Sequence, residues 1–225
     1  MTRIKICGIT TPADAELLAE LGVEAVGLNF YPKSPRCVSP ELARQLVRHL
    51  GPFVAPAGVF VSDGWQHVHS VATCTGLRAV QTYTGSPPPA PLAPFAHIPA
   101  FRVKSASDLD HITQFVAACK PSAVLVDSFV TGEMGGTGHR APWDLLANFD
   151  PGVPLILAGG LTPDNVAEAI RTVRPWGVDV ASGVETSPGV KDAAKVRAFV
   201  AAVRGSGGGA LQYPPCPLRT DSPHE

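Results

Sequence analysis

Charge is scarce in this chain. Asp, Glu, Lys and Arg make up 16% of its 225 residues, below the usual quarter, and they nearly cancel to a net charge of −1. No overall basic field is left to recruit nucleic acid or a membrane surface, so a small anionic ligand needs a local site. No apolar run approaches the roughly 18 residues of a membrane span. The opening MTRIKICGIT lacks the basic, apolar and small-residue succession of a signal peptide. The five cysteines, Cys7, Cys37, Cys74, Cys119 and Cys216, are odd in number, scattered and without a C-x-x-C. That argues against a disulfide framework or a zinc site and fits a reducing cytoplasm. A G-x-G-x-x-G loop is also missing, and with it the usual sign of a dinucleotide cofactor. What remains, with 45% hydrophobic residues, is a cofactor-free globular enzyme with a substantial core.

Short β-branched runs alternate with helical patterns. The expected strands are Arg3–Cys7, Ala25–Phe30, Ala57–Val61, Arg78–Gln81, Ile98–Val103, Ala123–Asp127, Leu155–Gly159 and Val178–Ser182. Helices are signalled after Thr11-Pro12, Ser39-Pro40-Glu41 and Thr162-Pro163-Asp164, each with a capping hydroxyl and a proline at the first turn. Asp192–Val203 supplies a last one. Strand then helix, repeated eight times, is the pattern of a single (β/α)8 TIM barrel; an open doubly wound sheet is the alternative. The fourth unit is expected to be irregular, because Pro87, Pro88, Pro89, Pro91 and Pro94 leave little room for a helix. The barrel is assigned to residues 1–204. Residues 205–225, rich in Gly and Pro, read as a flexible tail whose removal should leave stability and activity unchanged.

Side chains alternate faces along a strand. Ile4 and Ile6 then face the helices and Lys5 and Cys7 the barrel interior. The same parity turns Asp127 and Asp179 inward. Strands one and eight become neighbours when the barrel closes, so Lys5 and Asp179 are expected within about 6 Å of each other, compensating one another's charge. Cys7 and Asp127 also stand at the C-terminal ends of their strands, the face on which such barrels carry active sites.

Cys7 is either a thiolate base, with Lys5 helping to lower its pKa, or one more buried and inert cysteine. Asp127 is either an acid or base whose apolar surroundings raise its pKa, or a cap on the following loop. Arg36, in the stiff loop Phe30-Tyr31-Pro32-Lys33-Ser34-Pro35-Arg36, is either a fork for a substrate carboxylate or a solvated loop residue. Gly159-Gly160 after the seventh strand and Ser182-Gly183-Val184-Glu185 after the eighth stand where barrels often hold a phosphate. Gly135-Gly136-Thr137-Gly138 reads as a lid. Together these point to proton-transfer chemistry on a sugar phosphate.

The segments Lys5-Ile6-Cys7-Gly8-Ile9-Thr10, Phe30–Arg36, Gly135–Gly138, Gly159-Gly160-Leu161 and Val178–Glu185, in this order, resemble phosphoribosylanthranilate isomerase over about residues 3–203. The resemblance implies an Amadori rearrangement of N-(5'-phosphoribosyl)anthranilate to 1-(2-carboxyphenylamino)-1-deoxyribulose 5-phosphate in tryptophan biosynthesis, carried out by a cytoplasmic monomer or homodimer without cofactor. It implies Asp127 as the acid that opens the ribose ring and Cys7 as the base at C2', with both pKa values moved toward neutrality. Arg36 is implied as the anthranilate carboxylate site. Gly159, Gly160, Asp179, Ser182 and Gly183 are implied as further substrate contacts, the glycine turns holding the phosphate. The Cys7-Gly8-Ile9-Thr10 run speaks against indole-glycerol-phosphate synthase, which relies on lysine and glutamate. Where the family usually reads Gln-Leu-His-Gly, this chain has Gln81-Thr82-Tyr83-Thr84.

Overall fold

The structure, a computed structural model, describes residues 1–61, 63–83, 87–89, 92–127 and 143–207. Eight parallel strands close into a barrel in chain order: β1 (Arg3–Cys7), β2 (Ala25–Asn29), β3 (Ala55–Phe60), β4 (Ala79–Thr82), β5 (Ala96–Arg102), β6 (Val124–Asp127), β7 (Leu155–Ala158) and β8 (Gly177–Val180). Around them lie α1 (Pro12–Glu20), α2 (Pro40–His49), α3 (Trp65–Thr75), α4 (Ala106–Cys119), α5 (Trp143–Leu146), α6 (Val166–Val173) and α7 (Ala193–Gly205). A small antiparallel hairpin, β9 (Glu185–Ser187) and β10 (Val190–Lys191), follows β8. Among the described residues no helix is long and apolar enough to cross a membrane.

Local sequence accounts for most element ends. Thr11 caps α1, its hydroxyl accepting from the Asp14 N–H at 3.1 Å, with Pro12 in the first turn. Ser39 does the same for α2 through Leu42 N–H, and Asp192 for α7. The helix expected from Thr162 begins later. Residues 163–165 form a turn closed by Val166 N–H donating to the Thr162 carbonyl, and Asn165 is the cap. β3 begins two residues before its expected start and includes Pro56. Proline lacks a donor, but its carbonyl still accepts from Arg78 N–H at 2.9 Å. Between β4 and β5 the described residues hold no helix, as the prolines imply. α7 runs through Gly205, one residue beyond the expected end of the barrel; residues 208–225 lie outside the described residues.

The parity reading holds. Ile4, Ile6, Val124, Val126, Val178 and Val180 are buried in the layer between barrel and helices, with Leu18, Leu46, Ile112, Ile170 and Phe199 from the helical side. A separate interior cluster is built of Ala100, Ala123, Leu125, Ile156 and Ala158. At the N-terminal end of the barrel the small side chains of Ala25, Ala55, Ala57 and Ala79 border a cavity of about 170 Å³. Arg3 stacks on Trp176 there, 4.3 Å from the ring centre.

On the outer face, beside the helix-free fourth unit, His97 is buried. Its Nε2 lies 3.1 Å from the Thr82 hydroxyl and its ring meets Trp65 edge-on. Burial pushes its pKa down to about 4. The folded protein therefore resists a proton that the unfolded chain takes up near 6.5. Stability is fully present above about pH 6.5 and is lost as pH falls toward 4. Allowing for solvent screening, a loss of about 2 kcal/mol is expected. Between pH 7 and 4.5 the wild type should lose about 4–8 °C more in Tm than His97→Gln; equal losses in thermal melts would mean that His97 takes up its proton without strain.

Candidate active site

Strand alternation and barrel closure bring the chemistry together at the C-terminal mouth. Cys7 ends β1 and Asp127 ends β6. Both line one cavity of about 250 Å³, with Gly159 and Gly160 after β7, Asp179 on β8, and Ser182 and Gly183 beyond it. Tyr83, just past β4, also lines this wall. Every expected site residue except Arg36 thus faces the same cavity. Gly135–Gly138 lies outside the described residues.

Lys5 and Asp179 stand opposite each other in the β1–β8 register. The Lys5 ammonium donates to Asp179 Oδ2 at 3.0 Å, both side chains being almost completely buried. Burial pulls the Lys5 pKa down, but the charges of Asp179 and Cys7 outweigh it, so Lys5 is held above its ordinary value and remains an ammonium. Asp179 Oδ1 is buried and has no hydrogen-bond partner among the described residues. It is an acceptor available to a ligand.

The thiol corrects an expectation. Lys5 does favour the Cys7 thiolate, as does Lys191, but burial disfavours it more and Asp179 repels it. Burial above all therefore raises the Cys7 pKa rather than moving it toward neutrality, with the Asp179 charge adding to it. Gly27, the register partner of Cys7 on β2, makes room for the sulfur: a Cβ there would lie 2.5 Å from Sγ. A lone glycine inside a strand signals such a close approach, but sequence reading passed over it. Gly183 plays a comparable part between the two glycine turns, since a Cβ would run into the Leu161 carbonyl.

Tyr83 stands just past β4 on the cavity wall. Its hydroxyl accepts weakly from Gln81 Nε2 at 3.4 Å. Burial, then the charges of Cys7, Asp127 and Asp179, raise its pKa far above that of a free phenol, so it stays a neutral donor.

Arg36 lies beside this cavity and is not a solvated loop residue. Its stem packs over Gly8, next to Cys7. Its guanidinium donates from Nε to Glu185 Oε1 at 2.8 Å and from Nη2 to Glu185 Oε2 at 2.6 Å. Lys191 Nζ donates to the same Oε1 at 2.8 Å. Burial raises the Glu185 pKa, but these donors reverse the effect and hold it below its ordinary value. Neither Glu185 nor Lys191 was singled out from sequence. Nothing local signals their pairing, which depends on a hairpin after β8.

A thiol and a carboxyl across a small cavity, two glycine turns and an adjoining arginine suit proton transfer on a phosphorylated, carboxylated ligand. Comparison with known proteins agrees. The model of the N-(5'-phosphoribosyl)anthranilate (PRA) isomerase family matches residues 4–202. N-(5'-phosphoribosyl)anthranilate isomerase of Geobacter sulfurreducens is 44% identical over 206 residues, covering 91% of this chain and 100% of its own. The crystal structure of phosphoribosyl anthranilate isomerase from Thermotoga maritima superposes with a TM-score of 0.79 at 38% identity, covering 91% of this chain and 100% of that one. A structure of the isomerase in complex with reduced 1-(o-carboxyphenylamino)-1-deoxyribulose 5-phosphate gives 0.77 at 37%, with the same coverage. A likeness that spans the whole barrel places this chain in the N-(5'-phosphoribosyl)anthranilate isomerase family.

Proposed function

We propose that the chain converts N-(5'-phosphoribosyl)anthranilate into 1-(2-carboxyphenylamino)-1-deoxyribulose 5-phosphate, the isomerisation of tryptophan biosynthesis, with Asp127 as acid and Cys7 as base. The observation that carries this reading is the meeting of Cys7 and Asp127 on one cavity flanked by the two glycine turns. Asp127 delivers a proton to the ribose ring oxygen, the C1'–O bond breaks, and the anilino nitrogen lone pair forms the Schiff base. Cys7 takes the C2' proton, giving an enolamine that becomes the ketone as C1' takes up a proton and the C2' hydroxyl gives up its own. Backbone N–H groups of Gly159-Gly160 and Ser182-Gly183 hold the phosphate. The unpartnered Oδ1 of Asp179 accepts from a ribose hydroxyl. The protein acts on this small molecule in the cytoplasm, as a monomer or a homodimer.

Turnover of freshly made phosphoribosylanthranilate by the purified protein tests the reading; no turnover with an intact fold would refute it. Arg36 binds the anthranilate carboxylate. Hydrogen bonds to charged groups contribute about 1.5–3 kcal/mol, so Arg36→Met should mainly raise KM, by about 10–100-fold, with a smaller fall in kcat of about tenfold because the substrate ring loses its fixed placement. An unchanged KM with a collapsed kcat would move Arg36 into the chemical step.

A further inference from the structure

The hairpin after β8 holds a charge arrangement that the acid–base chemistry does not use. Glu185 and Lys191 are register partners across β9 and β10, so their side chains meet on one face. The Lys191 side chain is 1% exposed and that of Glu185 4%. The Lys191 ammonium also donates to the Ala181 carbonyl at 3.1 Å, which ties the hairpin to the end of β8. At the hairpin turn, Gly189 accepts from the Thr10 hydroxyl at 2.8 Å and packs against Pro35. The hairpin therefore grips both the loop after Cys7 and the loop that carries Arg36.

Two features of this cluster need an explanation. One is direction. Glu185 occupies the Nε/Nη2 edge of the Arg36 guanidinium. The Nη1/Nη2 edge carries no hydrogen bond among the described residues. A guanidinium fork held along one edge presents the other in a fixed plane. The other feature is charge. Arg36 and Glu185 alone would cancel, and a neutral pair attracts an incoming anion only weakly. Lys191 adds a second positive charge to the single carboxylate, leaving the trio at +1. A buried ammonium is costly unless compensated, and here one carboxylate serves two cations. Asp179 offers no balancing negative charge, since its own partner is Lys5.

We infer that Glu185, Lys191 and Arg36 form a carboxylate-reading clamp, in which Glu185 sets the plane of the Arg36 guanidinium and Lys191 supplies the net positive charge that the substrate's aromatic carboxylate answers. Arg36 touches the ligand; Glu185 and Lys191 are positioning residues that act through it. This rests on the reading of Arg36 as the carboxylate site. It adds that the carboxylate docks on the Nη1/Nη2 edge and that selectivity for it depends on Lys191, in the hairpin after β8.

The test uses two non-reacting ligands: the reduced product analogue with its ring carboxylate, and the same compound with hydrogen in that place. Their Kd values are measured by calorimetry on the wild type, Lys191→Met, Lys191→Arg and Glu185→Gln. The wild type should prefer the carboxylate compound. Lys191→Met should weaken that compound about tenfold while leaving the other within about twofold, and Lys191→Arg should restore the preference. Glu185→Gln removes a negative charge, so the preference should not fall. Its kcat should drop about tenfold, because the guanidinium is no longer held in plane. A loss of packing alone would weaken both ligands alike and overturn the inference, as would Lys191→Met with undiminished preference. Should Lys191→Met fail to fold, an unaltered kcat in Glu185→Gln overturns it instead. A wild type indifferent to the carboxylate would remove the carboxylate role of Arg36 itself.

Discussion

Cys7→Ala is expected to lower kcat by about 10²–10⁴-fold, the usual contribution of a general base, with the fold intact by circular dichroism. The thiol stands at the end of β1 on the cavity that Asp127 and Asp179 also line, and Gly27 is shaped around its sulfur. Besides the acid Asp127, the carboxylate left on this cavity is Asp179, and it is tied to the Lys5 ammonium. Lys5 is held above its ordinary pKa and cannot accept a proton near neutrality. The Tyr83 phenol is likewise held in its protonated form. Cys7→Ser should not restore the rate, because a hydroxyl is far less acidic than a thiol. Near-normal turnover by Cys7→Ala would make the thiol structural and end the mechanism given above.

Asp127→Asn should cost kcat a similar factor of about 10²–10⁴, since an amide cannot hand a proton to the ring oxygen. The residual rate of this variant also reports on the thiol. In the wild type, ionised Cys7 and protonated Asp127 make opposing demands on pH; with asparagine in place, only the thiol requirement remains. In the proposed mechanism the active form is the thiolate, and burial raises the Cys7 pKa, so at any given pH the thiolate fraction is smaller than for a free thiol. The residual kcat/KM of Asp127→Asn should therefore climb with pH and keep climbing beyond about 8.5, the free-thiol value. A plateau below that value would show that the thiol is activated in the empty enzyme. Tyr83→Phe gives the contrast: a phenol so reluctant to ionise is a poor acid, and its loss should change kcat by less than about tenfold. If Tyr83→Phe proved as damaging as Asp127→Asn, the acid role would pass to the phenol.

All eight strands were legible in the sequence as short β-branched runs between helical patterns, and the first, sixth and eighth also carry a period-2 alternation. That parity also foretold the Lys5–Asp179 pair, since two inward residues on strands that must become neighbours have few places to go. Helix starts were legible where one hydroxyl and one proline decide them, as at Thr11-Pro12 and Ser39-Pro40. They were less so at Thr162, where a turn intervenes before Val166.

What the sequence by itself determined is thus the barrel, the inward placement of Cys7, Asp127 and Asp179, and, through resemblance, the family. Each of these follows from local periodicity or from contiguous motifs. Tertiary structure alone decided the electrostatics. The Cys7 pKa depends on how deeply the barrel mouth buries the sulfur and on the pairing of Lys5 with Asp179 across the closure of the barrel. The state of Arg36 depends on Glu185, 149 residues further along the chain, and on Lys191 folding back beside it. Charge interactions fall with distance in space and grow with burial; neither quantity is written in spacing along the chain, so these pairings appear only once the barrel has closed.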